Sequence, residues 1–495
     1  RAWLAAAAPR ALLHDVEFLA SGDTTRASAR VEGLGFLPVG GAPGFTGMAG
    51  RLQGDAQGFA FELDDKAPFR FDWPAGFGVA HDASLDGTVA GWREGDGWRV
   101  DTRALRVRGS DFGIDVRGGM WFQGDGTRPW IDLAARLQPT QVTAASGFWI
   151  HDRMSPHAIE WLDAALVAGR LEDARALVSG DLDDWPFRGA PGNPARGRFE
   201  ATAKIVDATL AFHEGWPPLE QVVGEVAFVA DGFEVSGKGV LAGVGIRRFD
   251  AGITRFGHAP LRVSARGGAD ASRLVELLRR SPLRARHADT LDNVSASGPA
   301  TVSFDMTLPL HDSTRARIDG EVALANATLA DKRWKLAFDS VTGRARYGDD
   351  GFVAERLAVR HEEAPGILTL RAGEHVHDPG HAFEAELEAN LPADRLLQRV
   401  PELSWLQGRA SGRSQWTATL GISDKAATLQ LRSSLVGTAL SLPAPLRKAA
   451  ESSLPATIET ALPLGDGEVR VTLGRRLALR ARSRGDATGV RVVLG

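Results

Sequence analysis

Apolar and polar side chains alternate one by one in many short stretches of this chain. In SGPATVSFDMTLPL (297–310), every second residue from Val302 to Leu310 is apolar, and the residues between them are polar as far as Thr307. Successive side chains of a strand point to opposite faces of a sheet, so this pattern predicts a strand with one apolar and one polar face. Pro309 is expected to mark the residue at which the strand leaves the sheet.

The same period of two recurs from one end of the chain to the other. Three further examples are WIDLAARLQ (130–138), GRFEATAKIV (197–206) and HAFEAELEANL (381–391). Alternation of this kind is typical of antiparallel sheet that packs one face and leaves the other in water. The pattern therefore predicts a mainly β fold.

Three helical segments interrupt the predicted strands. Ser155 is the expected N-cap of the first, with Gly169 as its stop, and Asp270 is the N-cap of the second, which ends before Pro282. A shorter third helix is predicted from Asp394 to Val400. The helix starts lie about 115 to 125 residues apart, and this spacing indicates an internal repeat.

A shift of 119 positions aligns two parts of the chain without a gap. Residues 207–233 and 326–352 then agree at nine of 27 positions, including Ala-Thr-Leu-Ala and Asp-Gly-Phe. Further Asp-Gly pairs at Asp96 and Asp466 are expected to form hairpin turns. The predicted unit is a short helix followed by a run of strands. Because open sheets seldom exceed ~10 strands, a long array of such units must curl into a groove, close on itself or pair as sandwiches.

Composition and charge exclude several classes of function. The 58 basic residues nearly balance the 62 acidic ones, so no nucleic-acid-binding arm is predicted. The absence of Cys excludes disulfides, thiolate metal sites and cysteine nucleophiles. No stretch approaches the roughly 18 apolar residues of a membrane-spanning helix. The chain starts with Arg1, and we expect it to be a piece of a longer protein whose anchor lies outside it.

Several motifs, in their order along the chain, resemble the AsmA-like proteins of Gram-negative envelopes. These motifs are GLGFLPVGGAPGFTGMAGRLQGD, MSPHAIEWLDAALVAG, GDLDDWPFRG, GRFEATAKIVDATLAFHEGWPPLEQVVGEVAF, RRSPL, SGPATVSFDMTLPL and SSLVGTALSLPAPLRKAA. Each is a common pattern of strand and turn, and their order and spacing carry the resemblance. Together they span nearly the whole chain.

The resemblance implies an elongated, curled antiparallel sheet, a repeating β-groove with a few short helices between repeats. Its expected parts are 1–154 with one or more groove repeats, 155–269 and 270–391 each with a short helix and a groove repeat, and 392–495 with a short helix and a C-terminal groove segment. It also implies a periplasmic protein that an N-terminal helix outside this chain tethers to the inner membrane.

The implied function is that of a non-enzymatic conduit without a cofactor, which moves phospholipid between the inner and outer membranes. Acyl chains would lie on the concave apolar face, where each buried CH₂ gains about 0.8 kcal/mol. Expected partners are phospholipids, the two membranes and envelope proteins at the ends of the conduit, but not nucleic acid. The residues expected to line the groove, chosen where the sequence alternates, are Ile131, Leu133, Phe199, Ile205, Val302, Phe304, Met306, Leu308, Phe383 and Leu387.

Two other hypotheses remain open at this stage. Stacked β-sandwich repeats would pack the same apolar faces on each other and make a structural protein without a ligand. A metal-dependent hydrolase would use the histidine-rich loop RAGEHVHDPGH (371–381), although an exposed turn that happens to hold three histidines is the simpler interpretation. The candidate metal ligands are His375, His377, Asp378 and His381, with His361, Glu362 and Glu363 nearby.

Three Trp-Pro pairs are predicted at the ends of strands. They begin at Trp73, Trp185 and Trp216, and Pro is tolerated where a strand leaves its sheet. Structural packing of the rings over the sheet edge is the favoured interpretation. An aromatic gate that contacts lipid is the alternative.

Overall fold

The chain folds into strands over most of its length. A computed structural model describes all residues except 1, 23, 153, 190–195, 313–314, 335, 363, 400–406, 424–425, 463–467 and 485–486. Over the described residues, thirty strands form an antiparallel sheet, and five α-helices precede or connect them. The predicted mainly β fold with a few short helices is confirmed.

The elements are numbered in chain order. The first sixteen strands are β1 (Arg10–Ser21), β2 (Thr24–Phe36), β3 (Gly44–Gly54), β4 (Gly58–Leu63), β5 (Phe69–Asp72), β6 (Ala80–Glu94), β7 (Gly97–Gly109), β8 (Gly113–Phe122), β9 (Trp130–Leu137), β10 (Thr140–Gln141), β11 (Leu166–Asp181), β12 (Gly197–Leu210), β13 (Leu219–Val229), β14 (Gly232–Leu241), β15 (Val244–Ile253) and β16 (Leu261–Asp270). The others are β17 (Val294–Ser297), β18 (Pro299–Leu308), β19 (Arg317–Asp331), β20 (Leu336–Gly348), β21 (Gly351–His361), β22 (Ala364–Gly373), β23 (Phe383–Pro392), β24 (Ala410–Ile422), β25 (Ala427–Ser433), β26 (Thr438–Leu440), β27 (Ala456–Leu462), β28 (Glu468–Leu473), β29 (Leu477–Arg484) and β30 (Ala487–Leu494). The α-helices are α1 (Ala2–Ala7), α2 (Pro156–Ala165), α3 (Ala271–Arg279), α4 (Leu283–Asn293) and α5 (Ala393–Arg399).

The chain divides into two compact units. The first comprises Arg1–Ala242, Ile246–Val263 and Pro309–Ser313, and the second comprises Gly243–Gly245, Ser264–Leu308 and Thr314–Gly495. The four-part division expected from the helix spacing concerns the sequence repeat and stays a prediction.

In each unit, strands that pair with each other run in opposite directions, so the connections between paired strands alternate between two edges of the sheet. One edge, which we call the turn edge, has short turns such as 95–96 and 230–231 in the first unit and 349–350 in the second. The opposite edge, the helix edge, carries α1 and α2 in the first unit and α3, α4 and α5 in the second. The α-helices of the described chain thus join strands at one kind of edge.

Two of the three predicted helices begin at the expected caps. The Ser155 Oγ accepts a hydrogen bond from the Ala158 N–H at 3.2 Å, and the Asp270 carboxylate accepts one from the Ser272 N–H at 2.9 Å. The second carboxylate oxygen of Asp270 also accepts the N–H of Gly298 at 2.8 Å, which ties the start of α3 to the strands that follow it. Both caps satisfy amides that the helix leaves unpaired.

Other helix boundaries differ from the predictions. Gly169 was expected to stop the first helix, but this is wrong, because α2 ends at Ala165 and Gly169 lies inside β11. The third helix, α5, matches the prediction within the described residues, and Val400 lies outside them. The helix α4 was not predicted, since Pro282 was interpreted only as a stop.

The 119-residue repeat of the sequence recurs in the backbone. Asp207 and Asn326 occupy equivalent positions and both have positive φ, 51° and 56°. Gln221 and Ser340 are also 119 residues apart, with φ values of 54° and 53°. Few residues other than Gly adopt this left-handed conformation, so its repetition at matching positions supports a common structural unit.

These four residues with positive φ lie at β-bulges. Pairing of β12 with β13 shifts register between Ile205 and Ala208, and pairing of β19 with β20 shifts between Leu324 and Ala327. An extra residue at a bulge bends the strand and resets which side chains share a face. Strict alternation counted from the sequence therefore fails across each bulge.

The expected Asp-Gly hairpins are present where the structure describes them. Asp96 lies in the two-residue turn between Glu94 and Gly97, which pair with each other. The equivalent turns of the repeat pair Val229 with Gly232 and Gly348 with Gly351. Asp466, predicted to form another such turn, lies outside the described residues.

We predict that Asn326→Val destabilises the protein by about 1–3 kcal/mol, because a β-branched side chain is strained at positive φ. Asn326→Gly should be close to neutral at this site, since Gly adopts the same φ without strain. The check is the urea unfolding midpoint of each variant. Thr301→Val, on an exposed position of the regular strand β18, is the matched control and should change the midpoint little. Equal midpoints for Asn326→Val and the control would contradict the argument.

Candidate functional site

A row of mostly apolar side chains crosses nine neighbouring strands of the second unit. Directly opposed residues in antiparallel strands share a face of the sheet. Successive pairs from β18 to β27 join Phe304, Gly320, Tyr347, Phe352, Ala372, Phe383, Ile422, Ala427 and Leu462, which we call the Phe304 row. Every member of this row is half-buried. A second layer of protein would bury such residues fully, so the row is only partly covered by the chain itself.

A comparable row crosses seven strands of the first unit, from β7 to β14. Its members are Leu105, Val116, Ala135, Ala176, Ala201, Phe228 and Phe233. The residue next to each member of this row points to the other face of the sheet. The side chains that oppose one another there are Arg106, Asp115, Arg136, Arg175, Thr202, Ala227 and Glu234. One face of this sheet is thus apolar and the other is largely charged.

All ten residues predicted to line a groove lie on the apolar faces and are half-buried. In the first unit, Leu133 and Phe199 flank Val178 of β11 from either side, and Ile131 and Ile205 lie on the same face. In the second unit the apolar face carries Val302, Phe304, Met306, Leu308, Phe383 and Leu387. The structure therefore places the predicted residues in two groups, one in each unit, and their role stays a prediction.

The end of β18 requires one correction. Leu310 was assigned to the apolar face of this strand, but β18 ends at Leu308, and Leu310 is 49% exposed beyond it. Because Pro309 lacks an N–H and cannot continue the ladder, the strand ends before it, as predicted.

An aromatic ring covers Gly320, the residue that opposes Phe304. The ring of Tyr347 occupies the space where Gly320 lacks a Cβ, and its hydroxyl donates to the Ser303 carbonyl oxygen at 2.8 Å. Burial, with a smaller contribution from the Asp305 charge, raises the pKa of Tyr347 to about 12. The hydroxyl therefore stays neutral, and the ring forms part of the apolar face.

Toward the C-terminus, the chain covers its own apolar face. The covering segment, residues 434–455, connects β25 to β27. In one buried cluster it packs against the strand residues Ile458, Val471 and Leu479, which are 8%, 5% and 3% exposed. The residues of the covering segment in this cluster are Leu435, Leu440, Leu442 and Leu454. The apolar face is closed here, in contrast to the Phe304 row.

A buried lysine holds the covering segment in place. Lys448 is 4% exposed, and its Nζ donates to the carbonyl oxygens of Leu435, Thr438 and Ala449 at 2.8, 2.8 and 2.9 Å. Burial lowers its pKa, and Glu451 opposes this effect. A buried ammonium is tolerated only where acceptors surround it, so these carbonyls and Lys448 constrain each other.

The histidine-rich loop is organised around a carboxylate rather than a metal site. Glu384, 6% exposed, accepts the backbone N–H groups of His377 and Asp378 at 2.8 and 2.9 Å, and the Nδ1 of His381 lies 2.9 Å from it. Burial by itself would raise the pKa of Glu384, but the two backbone donors and His381 outweigh it and lower the pKa to about 2. The loop is therefore anchored to β23.

The remaining candidate metal ligands have separate partners. His375 faces Asp350 at 3.3 Å, and the Nδ1 of His361 lies 2.9 Å from the Ala337 carbonyl oxygen. Glu362 lies 3.5 Å from Arg395, and Glu363 is outside the described residues. Among the residues that the structure describes, no three His, Asp or Glu side chains gather as a metal site.

The three Trp-Pro pairs lie at strand ends but not at one edge. Trp73 and Trp216 lie in connections at the helix edge, where the Trp73 indole donates to the Gly41 carbonyl oxygen at 2.8 Å. Trp185 lies at the turn edge, and its ring is 5.1 Å from that of Phe199. Trp185 thus has a ring contact with one of the residues expected to line a groove.

Sequence reasoning missed the covering segment and much of the first-unit row. The row residues Leu105 and Val116 follow the same alternation as their neighbours, but a bulge between Thr102 and Leu105 interrupts the count in β7. The segment SSLVGTALSLPAPLRKAA was noted only as a motif. Its leucines, at intervals of five, two and four residues, have no strand or helix period that would indicate where they pack.

Comparisons with known proteins identify relatives. A family model described as YhdP protein matches residues 1–494. The Intermembrane phospholipid transporter YhdP of Escherichia coli (strain K12) is 21% identical over 454 residues, which are 89% of this chain and 34% of that protein. The chain thus spans about a third of the length of this relative. No solved structure matches it significantly, and no helix among the described residues is long and apolar enough to cross a membrane.

We predict that Lys448→Met loosens the covering segment, because up to four carbonyl oxygens lose a charged donor at a cost of about 2–3 kcal/mol. Amide hydrogen exchange should accelerate across residues 434–455 while that of β18 and β19 stays unchanged. Arg447→Met, which replaces an exposed neighbour, is the control and should leave exchange as in the parent protein. Unchanged exchange in Lys448→Met would show that the lysine does not hold the segment.

We also predict that acid weakens the loop at Glu384. Its pKa falls from an ordinary value of 4.5 to about 2 on folding, so its contribution is complete above about pH 4.5 and is lost as the pH falls toward 2. Exchange of the amides in 374–382 should therefore accelerate between pH 5 and pH 3 beyond the intrinsic pH effect. Glu384→Gln should show fast exchange already at neutral pH, whereas Glu386→Gln on the same face should behave like the parent protein. If Glu384→Gln and the parent protein showed the same dependence of amide exchange on pH, the proposed role of Glu384 in holding the loop would be contradicted.

Proposed function

Because the chain belongs to the YhdP protein family, we propose that it is a non-enzymatic section of a conduit that carries phospholipid between two membranes. Acyl chains lie along the apolar faces of its sheets, and headgroups stay in water. The observation that carries the proposal is the Phe304 row, which is continuous over nine strands and half-buried throughout.

The physical basis is the burial of acyl chains. A lipid tail in water gains about 0.8 kcal/mol for each CH₂ that moves onto an apolar surface. Half-buried side chains that share one face supply such a surface without a break between strands. The charged residues of the opposite face keep the other side of the sheet in water. An apolar face of this extent is expected to have a binding role.

The relative supports the class of cargo and the setting. It is named an intermembrane phospholipid transporter, and we extend that role to this chain as a proposal. On this hypothesis the chain works in the periplasm between the inner and outer membranes, with a tether to the inner membrane supplied by a longer protein. Partner proteins of the envelope at the ends of the conduit belong to the same proposal.

The covering segment limits where lipid is expected. Residues 434–455 occupy the apolar face beside Ile458 and Val471, so acyl chains cannot lie there in the same conformation. We expect lipid on the half-buried rows of β7–β14 and β18–β25.

The alternative, a scaffold of β-sandwich repeats without a ligand, is less well supported. Packing of two sheets face to face would bury the inner residues of both, whereas the Phe304 row is half-buried. Native mass spectrometry of the purified protein tests the choice. Bound phospholipid is expected, and protein without lipid under gentle ionisation would favour the scaffold.

We predict that a photo-crosslinking amino acid at Phe304 captures phospholipid, because this side chain lies on the apolar face. The same residue at Asp305, on the opposite face of β18, is the matched control and should capture little. Phe304→Glu should stay folded and bind less lipid, since a carboxylate replaces part of the apolar row. Equal capture at the two positions would contradict the assignment of faces, and unfolding of Phe304→Glu would identify Phe304 as closed core.

A further inference from the structure

Burial on the apolar face of the first unit changes from one edge of the sheet to the other. Along β13, Val222 near the helix edge is 4% exposed, Val226 is half-buried, and Phe228 near the turn edge is 38% exposed. Residues two apart in a strand share a face, so these three report on one surface. Ala208, opposed to Val222, is also buried at 7%. The apolar face is therefore covered at the helix edge and exposed at the turn edge.

Aromatic side chains stand along this exposed edge. Trp98 and Phe122 oppose each other at the ends of β7 and β8, and Phe256 stacks on Phe233 with ring centroids 6.0 Å apart. The ring of Trp98 also lies 6.3 Å from that of Phe59 in β4. We call the exposed members the aromatic rim: Trp98, Phe122, Trp185, Phe228 and Phe256, each between 38% and 46% exposed.

An arginine shares the face of the aromatic rim. Arg93 is exposed and opposes Trp98 in the hairpin of β6 and β7. On the other face of the same hairpin, Trp92 opposes Arg99, which forms an ion pair with Glu94 at 2.7 Å. The hairpin thus presents one pair of Trp and Arg on each face.

A second arginine near the rim, Arg188, has a structural role. Arg188 forms an ion pair with Asp231 and donates to the Thr254 carbonyl oxygen at 2.7 Å. These bonds fasten the loop of Trp185 and Phe187 to the neighbouring turn, and Phe187 is buried at 4% exposure. Trp185 is consequently held at the edge with its ring beside Phe199.

A phospholipid changes from apolar to polar at its glycerol esters and phosphate. Aromatic side chains are favoured at such boundaries, where one side of the ring is dry and the other is wet. A guanidinium matches the geometry of a phosphate. We propose that the aromatic rim and Arg93 bind the glycerol–phosphate region of the lipid, with the acyl chains directed toward the helix edge. This inference rests on the proposed function and adds the orientation of the lipid.

Two photoreactive phosphatidylethanolamines test the orientation. One carries its diazirine on the headgroup and the other at the end of an acyl chain, and each is supplied to the full 495-residue chain in phosphatidylethanolamine–phosphatidylglycerol vesicles. We expect the headgroup probe to label peptides of the turn edge around Trp98 and Phe228, and the tail probe to label peptides around Leu105 and Ile205, which lie on the half-buried part of the same face nearer the helix edge. Headgroup labelling at the helix edge, or equally at both edges, with the tail probe still captured, would overturn the orientation alone. Capture of neither probe would overturn the proposed function and the orientation with it.

Matched substitutions test the rim residues. Trp98→Ala should lower headgroup labelling about two- to fivefold, as expected for an exposed boundary contact, and Trp92→Ala should not, although both rings are 38% exposed. Arg93→Gln should lower capture of the phospholipid probe about two- to fivefold but leave a diacylglycerol probe, which lacks phosphate, unchanged. Arg117→Gln, on the charged face of β8, is its control. The roles proposed for Trp98 and Arg93 would be contradicted if a variant and its control lost the same amount of labelling. They would also be contradicted if Arg93→Gln lost capture of the phospholipid probe and of the diacylglycerol probe equally.

Discussion

Antiparallel pairing keeps directly opposed side chains on the same face of a sheet, and the rest of this structure depends on that constraint. A single amphipathic strand has an apolar stripe only one residue wide. When neighbouring strands pair in register, their stripes join into rows that cross many strands, as from Phe304 to Leu462 in the second unit. One residue along, the same pairing joins charges, as in the row of Arg106, Asp115 and Arg136 in the first unit. Two continuous and opposite surfaces result from one hydrogen-bonding pattern.

Bulges modify this pattern without breaking it. An extra residue such as Asp207 or Asn326 adopts positive φ, bends its strand and shifts the alternation by one position. Ala208 and Ala327 then return to the apolar face opposite Val222 and Val341, where both are buried. The bulges lie toward the helix edge, and the apolar face is covered there. The Phe304 row lies between them and the turn edge, so in the second unit backbone irregularity and the accessible part of the face are related.

Buried charges hold the irregular connections. Lys448 donates to carbonyl oxygens of the covering segment, and Glu384 accepts amide N–H groups of the histidine-rich loop. The backbone groups of each connection face a charge of the complementary kind, and Glu384 also has the His381 Nδ1 2.9 Å away. The charged side chain and the backbone groups of the connection satisfy each other's hydrogen bonds. Either one, buried without a partner, would cost free energy. The histidines that suggested metal chemistry therefore belong to the packing of a loop.

The sequence by itself determined the class of fold and the faces of the regular strands. Period-two alternation depends only on the geometry of an extended chain, so β9, β12, β18 and β23, and with them Phe199, Phe304 and Phe383, could be placed on an apolar face in advance. The caps Ser155 and Asp270 could also be predicted, because capping depends only on residues that are close together in the sequence. The family resemblance then favoured a groove over stacked sandwiches, which alternation alone left open.

Only the tertiary structure decided what covers each part of that face. Four leucines of residues 434–455 and the apolar members of the Phe304 row are alike in sequence, but the leucines lie within a buried cluster, whereas the row is half-buried and Phe352 only borders a second cluster. Burial depends on which segments return to a surface after a long connection, and such contacts join residues far apart in the chain. Tertiary structure also decided that Arg93 and Trp98 share a face, because this follows from the register of a hairpin. It likewise assembled the aromatic rim, whose members come from five separate elements. Local pattern specifies which side of a strand is apolar, and long-range packing specifies whether that side is covered.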